Sequence, residues 1–187
     1  GDAHVPAGEA LQRLREGNRI YVEALDHERD LSQERIADLF ENGQRPFACV
    51  ITCADSRVVP EHIFMTGLGE LFVIRVAGNV MDNHQLGSVE YAADHLGTRL
   101  VVVLGHEHCG AVGAAMGSEP GGFVKTITDE IKKAIGDEKD EYKACCLNVE
   151  RSVSIIREKL GLTDGGDGLQ VRGAYYHIGS GKVDFLD

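Results

Sequence analysis

Two short clusters in this chain carry side chains suited to metal chemistry. The first is Cys53-Ala54-Asp55-Ser56-Arg57 and the second is His106-Glu107-His108-Cys109-Gly110. Two thiolates and one imidazole suit Zn²⁺, a borderline-soft ion. Cys53, His106 and Cys109 would leave one tetrahedral position open for water, as in a catalytic zinc site, whereas structural sites are closed by a fourth protein ligand. The His106-x-x-Cys109 spacing lets both side chains converge from one turn, a relation to Cys109 that His108 lacks. Asp55 lies two residues beyond Cys53. Arg57 can hold it in a charge-assisted, bidentate pair that keeps it ionised and acceptor-only. Such an acceptor beside zinc-bound water would orient a lone pair toward substrate. The plainer alternatives are buried thiols, a satisfied core histidine and a loop-bracing ion pair.

These clusters need a scaffold that joins them across the intervening chain. Phe47–Thr52, Leu71–Val76 and Leu100–Leu104 are near-continuous apolar runs, the pattern of strands buried on both faces of a parallel sheet. Each cluster directly follows one of these runs. Ligands in open α/β sheets bind outside the carboxyl ends of the strands, so both clusters fall where one site could form. Helical spacing marks 8–25, 32–42 (capped by Ser32 and stopped by Gly43), 85–96, 111–116 and 125–160 with a polar break near 136–141. Val171–Ile178 and Lys182–Leu186 flank Gly179-Ser180-Gly181 as a hairpin, and Gly165–Gly168 reads as a loop. The expected fold is α/β: an open, mostly parallel sheet flanked by helices, with an N-terminal helical arm and a C-terminal edge hairpin. It reads as a single domain over 1–187, with the arm at 1–43 and the α/β core at 44–187.

Composition narrows the partners. The chain has 187 residues and a net charge of −11, which argues against coating a phosphate backbone. There is no Trp, and aromatics are 6%, too few for a nucleobase-stacking surface. No apolar run reaches the roughly 18–20 residues of a membrane span. The five cysteines do not form the even, spaced set of a disulfide framework. Reduced thiols or metal ligands fit better and point to a reducing compartment. Cys49 and the Cys145-Cys146 pair read as core or part-buried thiols. His62, His84 and His108 read as exposed histidines or proton carriers. The start, Gly1-Asp2-Ala3-His4, has no signal-peptide pattern. The expected location is the cytoplasm, with an organelle or processed export left open.

The two clusters together resemble those of the β-class carbonic anhydrases. The likeness extends to Glu70–Arg75, Ala77-Gly78-Asn79, Gly87–Ala92, Leu14–Asn18, Gly110-Ala111-Val112 and Gly173–Tyr176, so it spans nearly the whole chain. The resemblance implies one Zn²⁺ per chain on Cys53, His106 and Cys109, and Asp55–Arg57 as catalytic dyad. It implies substrate contacts from Gln44, Phe72, Ala77, Tyr91 and Gly110. It implies reversible hydration of CO₂ to bicarbonate and a proton, by zinc-bound hydroxide attacking CO₂. It also implies a homodimer or higher even oligomer with the site at the subunit interface. Some members carry a regulatory bicarbonate site built on a Trp three residues before the first Cys; here that residue is Val50. Arg75-Val76 replaces the commoner Arg-Asn pair. Two thiolates make a zinc-bound water less acidic than three histidines would, so activity should rise above neutral pH. Two other readings use the same residues: hydrolysis of carbonyl sulfide or carbon disulfide, and an inactive zinc-holding scaffold.

Overall fold

The computed structural model describes residues 4–117, 120–162 and 168–186. Residues 165–167 of the expected glycine loop lie outside the described residues. The strands are β1 (Ala48–Thr52), β2 (Leu71–Arg75), β3 (Leu100–His106), β4 (Gln170–Tyr176) and β5 (Val183–Leu186). They form one five-stranded sheet in the order β2-β1-β3-β4-β5. The first four are parallel to their neighbours, and β5 runs antiparallel to β4. This is the expected mostly parallel sheet with an edge hairpin.

Alternation along the central strands explains why they read as continuous apolar runs. Ala48, Val50, Leu100, Val102 and Leu104 face one layer, with Leu14, Ile63 and Phe64. Cys49, Ile51, Val101 and Val103 face the other, with Val89, Ala92, Val149 and Ile156. Both faces are covered, so neither can be polar. A third apolar cluster, built on Cys53, Cys109, Val112, Ile131 and Cys145, lies where the strand ends meet the following helices.

The helices are α1 (Ala7–Glu23), α2 (Gln33–Asn42), α3 (Pro60–Ile63), α4 (Asn83–Glu90), α5 (Gly110–Gly117), α6 (Val124–Ile135) and α7 (Glu141–Lys159). Ser32 caps α2 by accepting from the Arg35 N–H at 3.1 Å, as its sequence suggested. Three details differ from expectation. The buried face of α1 includes Ala7, Ala10, Leu14 and Gly17, while Val22 stays exposed and the helix stops at Glu23, two residues short of the expected end. Small residues let the helix approach closely: a Cβ on Gly17 would lie 1.9 Å from the Phe64 carbonyl oxygen. The helix expected at 85–96 is α4 followed by a π-helical turn, Tyr91–His95. β3 runs two residues past Leu104, so His106 is its last residue rather than part of the following loop.

One buried amide fastens α1 to the rest of the chain. Asn18 donates to the Ile63 and Gly181 carbonyls at 3.2 and 2.8 Å, and its oxygen accepts from the Val183 N–H at 2.9 Å.

Candidate metal centre

The chain crosses from β1 to β2 on one side and returns to β3 on the other. The carboxyl ends of β1 and β3 therefore flank a topological switch point. Cys53 follows β1, His106 ends β3, and Cys109 precedes α5. Their ligating atoms all lie within 4.8 Å of one another, and all three residues are buried. The tight turn between His106 and Cys109 places His108 at φ 54°, with its side chain in solvent.

The donor set fits a soft-to-borderline dication. His106 Nδ1 is 2.8 Å from the Glu107 carbonyl, which fixes the tautomer as Nδ1–H and turns the lone pair of Nε2 into the cluster. Nε2 is sealed from solvent and has no hydrogen-bond partner. A buried orphan nitrogen beside two buried sulfurs is costly unless something binds there. The Cys109 thiol facing it, despite the opposing effect of burial, pulls the Cys53 thiol down to about 4, helped by the His106 ring and the Gly78 N–H. Cys109, facing that sulfur, is pushed up by it and by burial. A bound metal would take both sulfurs as thiolates.

Asp55 turns away from the sulfurs to Arg57. The guanidinium donates Nε to Oδ1 at 3.0 Å and Nη2 to Oδ2 at 2.7 Å, and the Arg57 N–H also reaches Oδ1 at 2.9 Å. This fork lowers the Asp55 carboxyl to about 2, against a smaller opposing effect of burial. Arg57 Nη2 also donates to the His108 carbonyl at 3.1 Å, tying the dyad to the second cluster. Asp55 Oδ2 remains 3.9 Å from His106 Nε2. The carboxylate thus stands beside the cluster without entering it.

The profile of the carbonic anhydrase family matches residues 48–183. A tetrameric β-carbonic anhydrase of Sordaria macrospora has the same fold, with a TM-score of 0.71 at 27% identity over 82% of this chain and 87% of that one. The chain belongs to the β-carbonic anhydrase family. Carbonic anhydrase 2 of Mycobacterium tuberculosis is 34% identical over 95% of this chain and 92% of its own length. The carbonic anhydrase of Mycolicibacterium smegmatis is 38% identical over 94% and 91%. A Coccomyxa β-carbonic anhydrase solved with acetazolamide gives a TM-score of 0.68 at 28% identity.

As in a β-carbonic anhydrase, the Cys-His-Cys cluster can hold the zinc ion. The other named residues fall into two groups. Gly110 directly follows Cys109, and Ala77 directly precedes Gly78, whose N–H donates to the Cys53 sulfur at 3.2 Å. Gln44, Phe72 and Tyr91 lie elsewhere. Gln44 precedes β1, whereas Cys53 follows it. Phe72 is in register with Cys49, about four residues or 13 Å of strand short of Cys53. Phe72 and Tyr91 have ring centroids 6.1 Å apart, and Tyr91 stacks on His95 at 5.3 Å. His95 and Gln44 line one cavity of about 510 Å³. An amide and a row of aromatic rings thus form a second patch at the opposite end of the strands.

Arg75 escaped the sequence reading as a site residue. It donates Nε to the Cys53 carbonyl at 3.1 Å and Nη2 to the Asp55 carbonyl at 2.7 Å, clamping the loop that carries both. A cation closing an otherwise apolar strand was the available signal. The remaining thiols follow their sequence reading: Cys49 and Cys145 are buried and Cys146 is half-buried.

Proposed function

We propose that Cys53, His106 and Cys109 hold one zinc per chain and that the site hydrates CO₂ reversibly to bicarbonate and a proton. The observation that carries this is the orphaned Nε2 of His106, buried between two sulfurs beside an ionised carboxylate. Zinc held there supplies Lewis acidity, bringing the pKa of a coordinated water from about 15.7 toward 7. Asp55 can only accept, so it would orient the attacking hydroxide by accepting a hydrogen bond from its O–H, leaving a lone pair aimed at the carbon of CO₂. Arg57 keeps Asp55 ionised and away from the metal. If that fork opened, the carboxylate could take the fourth position and block the site.

Gln44, Phe72 and Tyr91 belong to the same reaction in this reading, supplied by a second copy of the chain. No fold of one chain brings both ends of β1 to one point. A two-fold dimer sets the amide-and-aromatic patch of each chain over the metal cluster of the other. There the Gln44 amide donates to a substrate oxygen, while Phe72 and Tyr91, with Ala77 and Gly110 across the cleft, give an apolar seat for CO₂. A homodimer or higher even assembly is therefore the working unit. All five thiols are free, which supports a reducing compartment such as the cytoplasm.

The test is metal analysis paired with stopped-flow CO₂ hydration. The wild type should carry about one zinc per chain, and Cys109→Ser should lose both metal and activity. Full activity without zinc would overturn the reading.

A further inference from the structure

Helix α7 carries two buried polar residues that the reaction above does not use. Asn148 and Ser152 are each 2% exposed and lie one helical turn apart on a face otherwise made of Ala144, Cys145, Val149, Val153 and Ile156. The Asn148 amide donates to the Gly78 carbonyl at 2.7 Å, and the Ser152 hydroxyl donates to the Asn79 carbonyl at 2.9 Å. Both carbonyls belong to the short turn Ala77–Asn79. The Asn79 N–H closes that turn on the Val76 carbonyl at 2.8 Å.

The turn is held from its other side as well. Gly78 has φ 73°, and a Cβ there would meet the Ile131 Cδ1 at 2.8 Å. Apolar contacts, a helix and its own backbone thus fix its orientation. The N–H of Gly78, in the peptide just before the two held carbonyls, points at the sulfur of Cys53, 3.2 Å away. An N–H donated to a thiolate draws charge from the sulfur and orients it, which tunes any metal bound there.

We propose that Asn148 and Ser152 are positioning residues of the metal centre. They hold the Gly78 N–H on Cys53, and so set both how firmly zinc is kept and how much charge that sulfur gives it. This rests on the reading of Cys53 as a zinc ligand. Satisfying two carbonyls would be role enough for a purely structural pair, so the test must read the sulfur itself.

The proteins to compare are wild type, Asn148→Leu, Ser152→Ala and a control on the exposed side of α7, Ser154→Ala. Folding is checked by circular dichroism. Zinc affinity is measured by competition with a chromophoric chelator, and the near-ultraviolet sulfur-to-metal band is recorded after cobalt substitution. Asn148→Leu should weaken zinc binding by about 10–100-fold, and Ser152→Ala by less. In both, the cobalt band should move to lower energy as the sulfur becomes a stronger donor, while Ser154→Ala should match wild type. If Asn148→Leu does not fold, Ser152→Ala decides alone. Folded variants with wild-type affinity and an unmoved band would overturn the proposal and leave zinc ligation standing. A wild type that binds neither metal would overturn both.

Discussion

The chain holds two patches of functional residues that differ in how they are built. The metal cluster is deep, charged and internally cross-linked: Asp55 is gripped by Arg57, the loop carbonyls by Arg75, and the Cys53 sulfur by the Gly78 N–H. The patch of Gln44, Phe72 and Tyr91 carries no carboxylate and joins an amide to a row of rings, and Tyr91 is 45% exposed. The first resembles a finished site and the second resembles half of one. Under the proposed dimer, the difference is that the chain prepares its metal site alone and takes its substrate contacts from assembly.

The contrast can be broken most sharply at the metal. Cys109→Ser should abolish zinc binding and reduce CO₂ hydration to the buffer background, as read by metal analysis and stopped flow. Asp55→Asn should keep the zinc yet lose about 10²–10⁴-fold in kcat, because an amide cannot act as a pure acceptor toward water. Gln44→Ala should cost about 10²-fold, the usual effect of deleting one substrate donor, with zinc content unchanged.

Mixing experiments sharpen the comparison further. Cys109→Ser carries an intact amide patch, and Gln44→Ala carries an intact metal cluster. Subunits of the two, unfolded and refolded together, should regain about a quarter of wild-type activity if each site draws on two chains. No recovery, with mixed dimers present, would show that each chain uses its own Gln44.

The smallest expected effects concern pH and stability. Activity should rise with pH through and above neutrality; a profile flat between about 6 and 9 would contradict a zinc-activated water. The Asp55–Arg57 fork stabilises the fold because the carboxyl pKa is lower folded, about 2, than its ordinary 3.8. That contribution is complete above the ordinary value and vanishes as pH falls through the folded one. The stability gap between wild type and Asp55→Asn, followed by chemical denaturation, should therefore shrink from about pH 4 and close near pH 2.

The ligands were legible because chemistry and topology coincide. Cys53 follows one strand directly, and His106 and Cys109 lie three residues apart at the end of another, and burial of both strands on both faces leaves an unmistakable apolar run. Asp55 and Arg57 were legible for the same reason. Gln44, Phe72 and Tyr91 were named only through family resemblance, because a lone amide before a strand, or a ring in a strand or helical turn, has no local signature. The extension of β3 through His106 was hidden because Gly105 and His106 look like loop residues until β4 pairs with them. Arg75, Asn148 and Ser152 act on backbone carbonyls distant in sequence, and no spacing rule points to such partners. On α1, periodicity found Leu14, Leu11 and Tyr21 but missed Ala7, Ala10 and Gly17, because closeness to Phe64 selects glycine and alanine there.

The amide of Asn18 has a consequence for the order of events in folding. Its oxygen waits for a backbone N–H 165 positions downstream. That partner exists only once Val183 has been synthesised and the final hairpin has turned. The tie between Asn18 and Val183 therefore forms after the contacts of α1 with Ile63 and Phe64 are available, and a product ending before the hairpin would leave the buried Asn18 oxygen without its partner.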